Sequence, residues 1–100
     1  MQKKQEYILC AAIHFNEGST PVHLPKNIKE GIVLCGRRHH NIFTQINTFM
    51  ESSEMKKIPQ VQGFMTSLDR FVTREEAAKV ALLSGQIESP VRKLISEDLY

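Results

Sequence analysis

The chain has 100 residues, a net charge of +2, 41% hydrophobic and 24% charged residues. One core of ordinary globular composition accounts for that length, and residues 1–100 are read as a single ligand-binding domain. No stretch approaches the ~20 apolar residues that a membrane span needs, and the near-neutral charge excludes the strongly basic face of a duplex-binding protein.

The charge is uneven. Residues 1–40 carry six Lys/Arg against three acids, whereas residues 51–100 carry seven against eight. That balance suits a local anion pocket. The charged start Met1–Glu6 runs into an alternating apolar segment without a small-residue cleavage site, so no signal peptide is expected, and the expected location is the cytoplasm. Cys10 and Cys35, each within an apolar run, read as reduced core-filling thiols, with a disulfide between neighbouring strands as the minor alternative.

In chain order, Tyr7–Phe15 reads as a central strand, with Tyr7, Leu9, Ala11, Ile13 and Phe15 on one face and Ile8, Cys10, Ala12 and His14 on the other. Asn16–Pro21 has turn chemistry, and Val22–Leu24 is a short extended piece ending at Pro25. Ile32–Cys35 is a buried strand closed by Gly36. An amphipathic helix follows, with Ile42, Phe43, Ile46, Phe49 and Met50 on one side. Val61–Thr66 and Arg70–Val72 read as a hairpin joined through Ser67-Leu68-Asp69. Thr73 with Glu76 forms a capping box for a second helix that Gly85 closes, with Ala77, Val80, Ala81 and Leu83 as its buried side. Ser89-Pro90 starts a last short helix. The predicted fold is α+β: an antiparallel sheet of about four strands with two main helices and a short C-terminal helix.

Gly36-Arg37-Arg38-His39-His40-Asn41 is the most informative segment. A strand, a glycine and a helix start gather free backbone N–H groups with the positive end of the helix dipole. Two arginines and two histidines, without an acid between residues 31 and 50, make it a candidate phosphate site. The alternative is that the arginines are solvated and one histidine packs in the core. No Walker-type spacing is present. Phe64, Phe71, Arg70 and Arg74 offer a stacking surface beside cations, suited to a nucleobase joined to phosphate; alternatively the phenylalanines are core and Arg70 pairs with Asp69 or Glu75. His14, His23, His39 and His40 lack metal-ligand spacing, and no complete catalytic set is visible, so neither a metal, a cofactor nor an enzyme is expected.

The set Gly36-Arg37-Arg38-His39-His40, Gln62-Gly63-Phe64, Thr66-Ser67, Arg70-Phe71-Val72, Arg74-Glu75-Glu76-Ala77, Gly85-Gln86-Ile87 and Ser96-Glu97-Asp98-Leu99-Tyr100 resembles a family of small phage and prophage proteins, the Thoeris anti-defence sponges. The resemblance covers most of residues 31–100 and does not extend before Gly31. It implies a homo-oligomer that sequesters glycocyclic ADP-ribose signals without turnover. Some members also hold cyclic oligonucleotides at a separate site. Family pockets at subunit interfaces combine arginines, an aromatic and polar groups. By residue type, Arg37, Arg38, His39, His40 and Asn41 match the basic segment, and Phe64, Arg70 and Arg74 match the hairpin segment. The expected partners are thus a small nucleotide and a second copy of the chain, with no duplex nucleic acid and no membrane. The competing classes are a protein-interaction module docking through Glu97-Asp98-Leu99-Tyr100, and a nucleotide phosphodiesterase using the histidines.

Overall fold

The structure, a computed structural model, describes residues 5–20, 24–47 and 57–99. Its first strand, β1 (Ile8–Phe15), is the most apolar segment and lies inside a four-stranded antiparallel sheet. β2 (Ile32–Gly36) flanks it on one side and β3 (Gln60–Thr66) on the other; β4 (Phe71–Thr73) lies outside β3. Helices α1 (His39–Ile46) and α2 (Arg74–Ser84) complete the α+β fold expected from the sequence, with a 3-10 turn at Ser96–Asp98.

The simple alternation expected along β1 fails at its start. Ile8 pairs with Thr66 and Cys10 with Met65, so Leu9 is the extra residue of a bulge. A bulge exchanges the faces on either side of it. Ile8 therefore joins Ala11, Ile13 and Phe15 in the core, and Leu9 is 50% exposed.

Ile42 and Ile46 of α1 are buried and Phe43 packs beside them; Phe49 and Met50, expected on the same face, lie outside the described residues, as do Val22 and His23. In α2 the buried residues are Ala77, Ala78 and Ala81, with Val80 against the core. Leu83 is a correction: it is 81% exposed, because the α2 seam turns toward Ala78. The capping box forms as read, with the Glu76 N–H donating to Thr73 Oγ1 at 3.3 Å and the Thr73 N–H donating to Glu76 Oε1 at 3.3 Å. Gly85, at φ 82°, ends the helix in the left-handed region. The last helical turn does not begin at Ser89-Pro90 but at Ser96. Leu94 is fully buried, its N–H donating to the Arg74 carbonyl at 2.9 Å, and Leu99 packs against the core.

Two side-chain amides extend the sheet where backbone runs out. Asn27 accepts from the Phe71 N–H (2.8 Å) and donates to the Phe71 carbonyl (2.6 Å) on the outer edge of β4. Gln86 treats Ile8 in the same way, at 2.7 and 2.8 Å. Each satisfies backbone groups that a missing strand would have paired. Asn27 also helps hold the segment after Pro25 to the hairpin, together with the Lys26 N–H bond to the Asp69 carbonyl at 2.8 Å.

Candidate functional site

The first turn of α1 forms the expected basic segment. Arg38 is the N-cap residue in an extended conformation, and no acidic residue occupies the first turn. Asn41 is committed locally: its Oδ1 accepts the Arg38 N–H at 3.1 Å and so satisfies one of the helix's leading donors. Arg37 and His40 are exposed, and Arg38 and Asn41 are half-buried. Adjacent side chains on this turn diverge, so the turn presents several cations around its rim.

His39 turns inward. It is 7% exposed, its Nε2 bonds to the Gly63 carbonyl at 2.8 Å, and its ring meets Phe64 edge-on at a centroid distance of 5.2 Å. A carbonyl accepts only, so Nε2 carries the proton. Burial pushes the His39 pKa below its ordinary value, aided by the nearby Arg74 charge and opposed by the Gly63 bond and Glu97. The result is a neutral core histidine that docks α1 on β3. This is the core alternative raised by the sequence, realised by His39 alone among the two adjacent histidines.

Arg74 begins α2 one residue along β3 from that contact. Its Nη2 donates to Gln62 Oε1 at 2.5 Å, while its buried Nε has no hydrogen-bond partner among the described residues. The starts of both helices therefore converge over Gln62 and Gly63. A buried guanidinium N–H without an acceptor costs free energy on the order of 1–3 kcal/mol, and an anionic oxygen would remove that cost.

Phe64 and Arg70 are corrections to the expected stacking surface. Phe64 is fully buried in the core, so neither ring face is open to a base. Arg70 lies at the other end of the hairpin and pairs with Glu6, not Asp69 or Glu75. Nε donates to one carboxylate oxygen and Nη2 to the other, both at 2.8 Å, and Thr66 Oγ1 donates to the same carboxylate at 2.6 Å. The Arg70 hydrogen bond holds the Glu6 carboxyl below its ordinary value of 4.5, against the opposing effect of burial. The bonding roles of Glu6, Asn27 and Gln86 escaped the sequence reading because each acts over a long stretch of chain, with no local spacing to mark it.

The sign of that shift gives a stability prediction. A lowered folded-state pKa stabilises the fold above the unfolded value and is lost as pH falls through the folded one. In acid-denaturation profiles, wild type should lose stability more steeply below about pH 4.5 than Glu6→Gln does. The pair is partly exposed, so the difference should be about 1 kcal/mol, at the upper end for surface pairs because it is bidentate. Parallel profiles would show instead that the pair contributes nothing.

The cysteines are the remaining correction. Cys35 is exposed and Cys10 half-buried, and both are free. Both lie on the sheet face opposite the helices, since Cys35 pairs with Ala12 rather than with a core-facing residue. Among the described residues no helix is long and apolar enough to cross a membrane.

Fold and site together define a small α+β sheet protein with two helix starts and a basic rim gathered over one strand. A family model described as phage T4 y16D protein matches residues 7–100. The chain belongs to that phage protein family, and the match includes β1, which the sequence resemblance did not reach. Comparison with curated proteins gave no match, and comparison with solved structures gave none.

Proposed function

We propose that this phage protein binds and sequesters a small phosphorylated nucleotide of the cyclic immune-signal type, glycocyclic ADP-ribose or a cyclic oligonucleotide, without turning it over. The carrying observation is the unpartnered buried Nε of Arg74 beside the first turn of α1. A phosphate there would accept from Arg74 while meeting the helix dipole and the Arg37, Arg38 and His40 rim. Membership of a phage family and the likeness to Thoeris anti-defence sponges support the same reading. His39, which a histidine-dependent phosphodiesterase would use, is neutral and spent on Gly63, and that favours binding over hydrolysis.

Self-association belongs to this reading. Tyr7 and Leu9 are 46% and 50% exposed, and Gln5 Nε2 donates to the Leu83 carbonyl at 2.9 Å, which brings that segment to the end of α2 beside exposed Leu83. A second copy covering these side chains would bury the apolar patch at the opposite end of α2 from Arg74. The chain acts in the cytoplasm of the infected cell.

The test is retention. Purified protein is mixed with cyclic ADP-ribose isomers and cyclic di- and trinucleotides, stripped of free ligand, heated, and the released compound identified by mass spectrometry. An intact nucleotide is expected. Arg74→Ala should weaken binding by about 1.5–3 kcal/mol, the value of a charged hydrogen bond, while Arg70→Ala leaves the ligand bound. A cleaved product would establish an enzyme, and no retained nucleotide would overturn the sponge reading in favour of a protein-masking module.

A further inference from the structure

The face of the sheet away from the helices carries three sulfur atoms that the nucleotide reading does not use. Cys10 and Met65 are direct partners across β1 and β3, so their side chains leave the same face at the same level. Cys35 stands opposite Ala12 on β2, one diagonal step from Cys10, and the two thiols are in hydrogen-bond contact. Cys35 and Met65 line one cavity of about 380 Å³ with Leu24, Pro25 and Val33, and Asp69 at the rim. Two thiols and a thioether thus leave one sheet face within two strand steps of each other, Cys35 and Met65 at the cavity and Cys10 beside it. Among the described residues no group of three or more His, Cys, Asp and Glu is placed to hold a metal, but a thioether falls outside that set of donors.

The register decides what such sulfurs can do. Diagonal neighbours across two strands lie ~7–8 Å apart between Cα atoms, whereas a disulfide usually needs about 4.4–6.8 Å. Direct closure therefore requires the backbone to move. A metal ion bridging two touching sulfurs does not. Zinc calls for four nitrogen, oxygen or thiolate ligands, and among the described residues no three of His, Cys, Asp and Glu gather to supply them. Thiolate with thioether is instead the donor set that selects Cu(I).

We propose that Cys10, Cys35 and Met65 form a binding site for one soft monovalent metal ion, Cu(I), on the sheet face opposite the helices. Both thiols lose a proton on binding, the metal keeps its oxidation state, and the thioether completes a three-coordinate sulfur shell.

Anaerobic titration with Cu(I), in competition with a chromogenic Cu(I) chelator, tests the site on the whole protein. One equivalent should resist the chelator. Cys35→Ser, at an exposed position, and Cys10→Ser should each abolish that retention. Met65→Leu, which conserves volume, should weaken it and keep the circular dichroism spectrum of the fold. Equal retention by wild type and both serine variants would overturn the site, as would copper held only between two chains. An intrachain disulfide that forms as readily in mild oxidant as the copper complex would overturn the register argument on which the proposal stands.

Discussion

Replacing Phe64 by alanine is expected to lower stability by about 3–5 kcal/mol, as for other fully buried aromatic side chains. Phe64 is 0% exposed on β3, opposite Ala11 on one side and Val72 on the other. Both neighbours are small, so little is at hand to collapse into the space. The ring also receives the edge of His39, and losing it unseats the histidine that docks α1. In urea denaturation the midpoint should fall sharply with an unchanged slope, and Phe64→Leu should recover much of the loss. The same variant separates core from ligand: if Phe64 stacked on a base, Phe64→Ala would release nucleotide while leaving the midpoint in place.

Local signals explain why so much of this fold was legible in the sequence. The hairpin from β3 to β4, the Thr73–Glu76 capping box and the Gly85 stop each depend on residues a few positions apart. The bulge at Leu9 depends on which residue of β3 lies opposite, and nothing within Tyr7–Phe15 encodes that. Cys10 and Cys35 illustrate the same limit. An apolar run states that a strand is covered on at least one side, but not which of its residues face the helices. The candidate site divides likewise. The start of α1 was visible as a glycine, cations and a helix pattern. Arg70 and Arg74 look alike in sequence, one residue before β4 and one after it, yet the hairpin sends one to Glu6 and the other to Gln62. Phe64 and Phe71 both turned out buried, at 0% and 6% exposure, because β4 packs each between neighbouring elements.

Gly63→Ala should be as disruptive as Phe64→Ala although it adds one methyl group. A Cβ built there would lie 2.1 Å from the Val72 carbonyl oxygen and 2.8 Å from Phe71 Cζ. The nearer atom is backbone, so no rotamer change relieves the clash, and β4 must move away from β3. That movement pulls at the Thr73–Gly63 pairing, and with it the start of α2 and Arg74. It also displaces the carbonyl that holds His39. Overpacking of this kind costs about 1–3 kcal/mol where side chains can adjust; a backbone obstruction belongs at or beyond the upper end. Against a total stability of only about 5–15 kcal/mol for a typical domain, such a loss brings the midpoint close to unfolding. Gly85→Ala supplies the contrast: nothing lies within 4 Å of its Cβ, and only the φ of 82° opposes the change, worth about 1–2 kcal/mol. Thermal melts of the two variants should therefore differ widely. Equal melts would show that β4 yields freely, and the convergence of the two helix starts over Gln62 and Gly63 would then be too loose to orient Arg74 toward a phosphate.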